Sequence, residues 1–223
     1  MFKSQQRPVV FSQYEHGRLA GTLAQHWGNP SFARPALDFP AFVAGVALHD
    51  WGYGLLDNLP IGEAAEDEWL KVIRKGIVNY FDHPTTDIIV KHHLRRLLSL
   101  NPSPERKDLI SQIDERIAGR LEKGGPSLES YKKADKITQL CDMISFDFCF
   151  ERPRQRTLAV YAQLHSDETT PITYEIRPAG EVCIDPWPFS IPVISGMVFA
   201  FQRQGYPKEL QPIVIPYNIK TGL

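Results

Sequence analysis

The chain has 223 residues, 43% hydrophobic and 23% charged, with a formal net charge of −1. That is one large globular domain, or one with an appendage, and it lacks the basic field that nucleic acid or an anionic membrane surface requires. Apolar runs fall far short of a membrane span, Met1–Gln6 carries no signal-peptide core, and the three cysteines read as reduced thiols, so a cytoplasmic protein is expected.

Ser12-Gln13-Tyr14-Glu15 has the form of a capping box and opens a helix predicted to run to about Trp27. Its apolar face is Leu19, Ala20, Leu23 and Trp27, and His16 falls on the same face. Gly28-Asn29-Pro30 ends it. Asp38 and Pro40 start a second helix, apolar all round and therefore buried, which closes on His49-Asp50 and is stopped by Trp51-Gly52. A third helix is predicted over about 66–81, a fourth from Thr85 or Thr86 to about Leu100, and a fifth over about 105–122. Lys123-Gly124-Gly125-Pro126 is read as a turn. The sixth helix runs from Leu128 to about Phe150, and its second half, from Leu140 on, is nearly apolar around Asp142.

The pattern changes near Pro153. Segments 156–164, 172–177, 181–184, 193–202 and 211–219 show strand-like composition with partial alternation. The expected fold is mainly α, a helical bundle over 1–153 carrying a small antiparallel β-sheet over 154–223.

Three buried polar sites on three helices carry the chemistry. A single histidine on an apolar helix face is ordinarily a satisfied core residue, and a His-Asp pair at a helix end is often a cap. An aspartate inside an apolar helix, however, costs several kcal/mol if unpaired. His16, His49-Asp50 and Asp142 have no Lys or Arg partner nearby in sequence, which points to convergence on a divalent ion. Imidazole and carboxylate suit Mn, Fe, Co, Ni or Zn.

These residues resemble the pattern of the HD-domain superfamily of metal-dependent phosphohydrolases: a His, a later His-Asp doublet at a helix end, and a distant Asp. More narrowly, the chain is similar to the uncharacterised bacterial DUF3891 proteins. The segments carrying this are Gln13-Tyr14-Glu15-His16-Gly17 with Trp27-Gly28, the doublet with Trp51-Gly52, His83-Pro84, Cys141-Asp142-Met143-Ile144-Ser145 and Asp185-Pro186-Trp187-Pro188-Phe189. The resemblance implies a His/Asp metal site holding one or two ions. Some superfamily members place further histidines between doublet and last Asp to hold a second metal. Here those are His83, His92 and His93, with His93 nearer the centre of its helix's apolar arc.

The function implied is hydrolysis of a small phosphoester or nucleotide. In such chemistry the metal polarises a phosphoryl oxygen and acidifies water. Asp50, His83 and Arg18 are the candidate catalytic groups, and Lys91, Arg95 and Arg96 a candidate anion-binding rim. Asp135 is a candidate partner for a ligating imidazole, and Trp187 and Phe189 are candidate pocket walls, although proline-flanked aromatics more often fill a core. Two other functions fit the same residues: a diiron oxygenase of the inositol-oxygenase-like type, and a non-catalytic metal- or ligand-binding sensor. Partners expected are a small phosphorylated substrate, with no nucleic acid and no membrane; the oligomeric state is left open.

Overall fold

Most of the α-helices begin on a side-chain cap. In the computed structural model, which describes residues 1–55, 57–122 and 125–222, Ser12 caps α1 (Gln13–Gln25), its Oγ accepting from the Glu15 N–H at 3.2 Å. The reciprocal half of the capping box does not form. The Glu15 carboxylate instead accepts from Arg18 and from the Phe199 N–H. Asp38 caps α2 (Phe39–Ala47), with Pro40 in its first turn. The doublet follows the end of α2, leading into a single 3-10 turn over Trp51–Tyr53. Then come α3 (Glu66–Val78), α4 (Pro84–Ser99), α5 (Pro104–Arg120) and α6 (Leu128–Cys149). The cap of α4 is His83, whose Nδ1 accepts from the Thr85 N–H, rather than Thr85 or Thr86 themselves. Of the turn expected at Lys123-Gly124-Gly125-Pro126, Lys123 and Gly124 lie outside the described residues.

The sheet corrects the expected fold class. The chain is 44% helix and 23% strand, too much sheet for a helical bundle with a small antiparallel appendage. The strands are β1 (Phe2–Lys3), β2 (Val9–Phe11), β3 (Arg154–Tyr161), β4 (Thr169–Ile176), β5 (Glu181–Asp185), β6 (Val193–Gln202) and β7 (Pro212–Thr221). They form one seven-stranded sheet in the order β1-β2-β6-β7-β5-β4-β3, curled into a half-barrel. The sheet is mixed: β5 and β7 run parallel, with Glu181 opposite Asn218, and the other pairs are antiparallel. Both ends of the chain contribute to it. Strands of two and three residues show no alternation, and all of Val9, Val10 and Phe11 are buried, so β1 and β2 carry no period-2 pattern. Parallel pairing is likewise set by tertiary packing.

The inner face of β6, with Ile194, Val198 and Ala200 buried, and that of β7, with Ile215, Tyr217 and Ile219 buried, contribute to a single core shared with the helices; α1 packs on β6, and α6 on β3 and β4. Phe189 is buried against Trp27, and the half-buried Trp187 packs on Phe189, so this aromatic pair belongs to the core. The three cysteines are free and buried. Among the described residues no helix is long and apolar enough to cross a membrane.

Glycines set the closest helix contacts. A Cβ on Gly17 would lie 2.5 Å from the Ala47 carbonyl oxygen, and one on Gly21 would lie 2.6 Å from the Ala47 Cβ. A Cβ on Gly45 would meet the Ile89 Cβ at 2.7 Å. Thus α1 lies against the end of α2, and α2 against α4, backbone to backbone. This brings His16 to the doublet and α4 within reach of both. Gly17→Ala should therefore lower the unfolding free energy by about 1–3 kcal/mol in urea denaturation. The control is Gly119→Ala on α5, where nothing lies within 4 Å; it should stabilise slightly, by up to about 1 kcal/mol.

Candidate metal centre

Four elements bring five side chains to one point: His16 from α1, His49 and Asp50 from the turn after α2, His93 from α4 and Asp142 from α6. All but Asp50 are buried, and the Asp50 side chain is only 10% exposed. His16 Nε2 lies 3.0 Å from His49 Nε2, 3.3 Å from Asp142 Oδ1 and 3.6 Å from Asp50 Oδ2. His49 Nε2 lies 3.5 Å from both Asp50 Oδ2 and Asp142 Oδ1.

The hydrogen bonds behind the rings fix their tautomers. His49 Nδ1 is 2.7 Å from the Val46 carbonyl, which can only accept, so Nδ1 carries the proton. Ser145 donates its hydroxyl proton to the Asp142 carbonyl at 2.9 Å, leaving Oγ to accept from His16 Nδ1 at 2.8 Å. In the neutral rings both Nε2 atoms therefore present bare lone pairs, facing each other beside two carboxylate oxygens. Such an arrangement is relieved by positive charge between the four groups, whether a proton on His49 or a bound cation. Four donors bound at about 2.1 Å around a tetrahedral ion lie about 3.4 Å apart; the spacings among His16, His49 and Asp142, and from Asp50 Oδ2 to both rings, are 3.0–3.6 Å. The residues fit a borderline divalent metal held by two imidazoles and two carboxylates.

His93 plays a different part. Arg96 can only donate, and its Nη2 lies 3.1 Å from His93 Nδ1. His93 Nε2 then carries the proton and donates to Asp50 Oδ1 at 3.2 Å. Both ring nitrogens are spent on orienting neighbours, and Asp50 turns its other oxygen, Oδ2, toward the histidine pair. Arg96 Nη2 also lies 3.5 Å from Asp142 Oδ2, and Arg96 Nε lies 3.4 Å from Asp135 Oδ2. Asp135 thus reaches the cluster through Arg96 rather than by accepting from a ligating ring.

Charge in the cluster is mutually supported. For His49, burial acts to lower the pKa, but Asp50 and Asp142 outweigh it and lift it to about 9. For His16, burial prevails and lowers it. Burial would raise both carboxylates, yet the surrounding histidines hold Asp50 at about 2 and Asp142 well below the ordinary carboxylate range. The site is built to hold positive charge.

The other residues singled out from sequence fall elsewhere. His83 is half-exposed at the start of α4, 3.8 Å from Asp38, so a second metal site on His83, His93 and Asp50 is not assembled. His92, next to His93, points away and stacks on Tyr131. Lys91 is buried, donating to the Gly76 and Asn79 carbonyls at the end of α3 and pairing with Asp87, so it ties helices together instead of meeting an anion. Arg95 pairs with Asp114 on the surface. Arg18 is held by Glu15 and the Met197 carbonyl, away from the cluster. Of the proposed rim only Arg96 touches the metal centre.

A cleft of about 400 Å³ opens over the cluster, with Asp50, His93 and Asp142 at its floor. Tyr53, Trp69, Leu97, Met143 and Phe146 wall it. Arg106 also lines it, stacked over Trp69 at 4.7 Å and paired with Glu66. Sequence reasoning found no cleft residue outside the cluster, because aromatic and apolar walls read as core. Ser145 lay within a quoted segment, but three residues from Asp142 on a helix gives no sign of a bond to a distant ring.

Metal titration tests the assignment. His49→Ala and Asp142→Ala should abolish tight binding, and His83→Ala should bind as wild type. His93→Ala should bind one ion about 10–100-fold more weakly, as expected when a partner orienting a ligand is lost. A pH series on chelator-treated protein gives a second test. The His49 pKa, raised from 6.5 to about 9, contributes stability that is full below pH 6.5 and is lost as pH rises through about 9. Stripped protein should therefore lose stability across that window, and His49→Gln should not show this loss.

The family description "Protein of unknown function (DUF3891)" matches residues 1–198. No curated protein and no solved structure matches the chain.

Proposed function

Since the chain belongs to the DUF3891 family, whose description assigns no activity, we propose from its site that it is a metal-dependent phosphohydrolase acting on a small phosphoester with an apolar or aromatic organic part. The observation carrying this reading is the pair of bare imidazole nitrogens buried beside two ionised carboxylates, with those carboxylates, Asp50 and Asp142, lining a cleft walled largely by apolar side chains. The order of ligands along the chain, a His, a His-Asp doublet and a distant Asp, supports the finer reading of an HD-superfamily relative. A bound divalent metal would supply Lewis acidity toward a phosphoryl oxygen and toward water.

The chain's own residues supply the rest. His16 and His49, each held through Nδ1, would hold the ion with Asp50 and Asp142. His93 lines the cleft and fixes Asp50 by donating from Nε2 to Oδ1. The walls formed by Tyr53, Trp69 and Phe146 exclude water and offer flat apolar surface to a base or ring. Arg106, the one arginine among the described residues lining the cleft, has Nε and Nη2 held by Glu66, and would offer its remaining Nη1 to an anionic group of a substrate.

A screen of phosphomonoesters and nucleotides with added Mn, Fe, Co, Ni or Zn tests the proposal. Activity should need the metal, vanish with chelator and vanish in Asp142→Ala. Trp69→Ala should raise KM with kcat nearly unchanged for aromatic substrates. Chelator-insensitive hydrolysis, or activity surviving in Asp142→Ala, would place the chemistry elsewhere.

A further inference from the structure

A second cleft, of about 550 Å³, lies between α4, α5 and α6, behind Arg96 as seen from the metal centre. His92, Arg95, Arg96, Lys132, Asp135 and Lys136 line it. Of five buried side-chain polar atoms without a hydrogen-bond partner among the described residues, three belong here: His92 Nε2, Arg96 Nε and Asp135 Oδ1. His92 is only 7% exposed, and burial lowers its pKa, so it is a neutral ring with an unspent nitrogen. Buried polar atoms are rarely left unpaired. Arg96 Nε has only a long ion-pair contact of 3.4 Å to Asp135 Oδ2, and His92 Nε2 and Asp135 Oδ1 have no partner among the described residues, so the three together point to a partner that both accepts and donates.

Charge narrows the partner. Arg95, Arg96, Lys132 and Lys136 outnumber Asp114 and Asp135 by two, so an anion is favoured. Asp135 Oδ1 needs a donor, and an anion offering only acceptor oxygens would leave it without one. A phosphate that retains a proton meets both demands. Its oxygens accept from Arg96 and the lysines, and its P–OH donates to Asp135 Oδ1.

We propose that this cleft is a binding site for inorganic phosphate, or a phosphomonoester monoanion, that keeps one proton, and that Arg96 couples its occupancy to the metal centre. The coupling follows from Arg96 touching His93 Nδ1 and Asp142 Oδ2 with one nitrogen while presenting Nε toward Asp135. By linkage, phosphate and metal must alter each other's affinity by the same factor. The proposal stands apart from the hydrolase reading, since its first readout is binding alone.

Calorimetry of the full chain with inorganic phosphate and with sulfate tests it. Wild type should bind one phosphate saturably, at about millimolar affinity or tighter, and about tenfold more tightly than sulfate, which carries no proton at neutral pH. The exposed-lysine double variant Lys132→Ala/Lys136→Ala should weaken phosphate about tenfold, and Asp135→Asn should erase the preference over sulfate. At a phosphate concentration that half-saturates wild type, phosphate should shift metal affinity in wild type and much less in the double-lysine variant. No saturable binding, or equal binding of both anions in wild type, overturns the site. Phosphate binding kept in the double-lysine variant but lost in His49→Ala would place the anion at the metal centre and also overturn it. Phosphate binding with unchanged metal affinity overturns the role given to Arg96. If the metal centre itself fails, no variant binds metal, while phosphate calorimetry still reads this cleft.

Discussion

Two imidazole nitrogens whose protons are committed elsewhere face each other at 3.0 Å, flanked by two carboxylates, in the interior. That contact is unfavourable unless positive charge sits among the four groups. A single shared proton, carried on His49, satisfies it partly; a divalent ion satisfies all four donors. Much of the helical layer can be understood as the frame for this point. Four separate elements deliver one or two ligating or orienting groups each, and the glycines of α1 and α2 remove the side chains that would hold those elements apart. Any metal affinity of this site is thereby linked to folding, since the four groups are gathered only in the folded chain.

The surroundings divide labour in a way that residue type alone does not reveal. Two histidines direct a free nitrogen inward because a carbonyl and a serine take their other side. A third, His93, has both sides taken, one by Asp50 and the other by Arg96. Arg96 in turn leans on Asp135. The carboxylates stay ionised despite burial because histidines surround them. Above the carboxylates the cleft is walled mostly by apolar side chains, with Gln13, Glu66, Asn101 and Arg106 among them.

The sequence disclosed the cluster better than the fold. His16 on an apolar face, His49-Asp50 after an all-apolar helix and Asp142 inside a buried one each stood out because burial and polarity conflict, and the structure brings all four together, with His93, the inward member of its pair. His83 and Lys91 were misplaced because a cap and a helix-tying lysine look, in sequence, like ligand and rim. The mixed sheet escaped notice for two physical reasons. Phe2–Lys3 and Val9–Phe11 are too short to show a period, and the parallel match of Glu181–Ile184 to Asn218–Thr221 depends on contacts between distant segments. Long amphipathic elements announce themselves; two-residue edges and long-range partners do not.

The central claim is that one ion is held by two imidazoles and two carboxylates, with His93 outside the coordination shell. Extended X-ray absorption spectroscopy on the cobalt-loaded protein counts imidazoles directly, through the multiple scattering that ring atoms produce. The account predicts two histidines per cobalt with oxygen donors completing the shell, a count that stays at two in His93→Gln and falls to one in His16→Gln. Three histidines per cobalt in wild type, or a count that drops in His93→Gln, would contradict it.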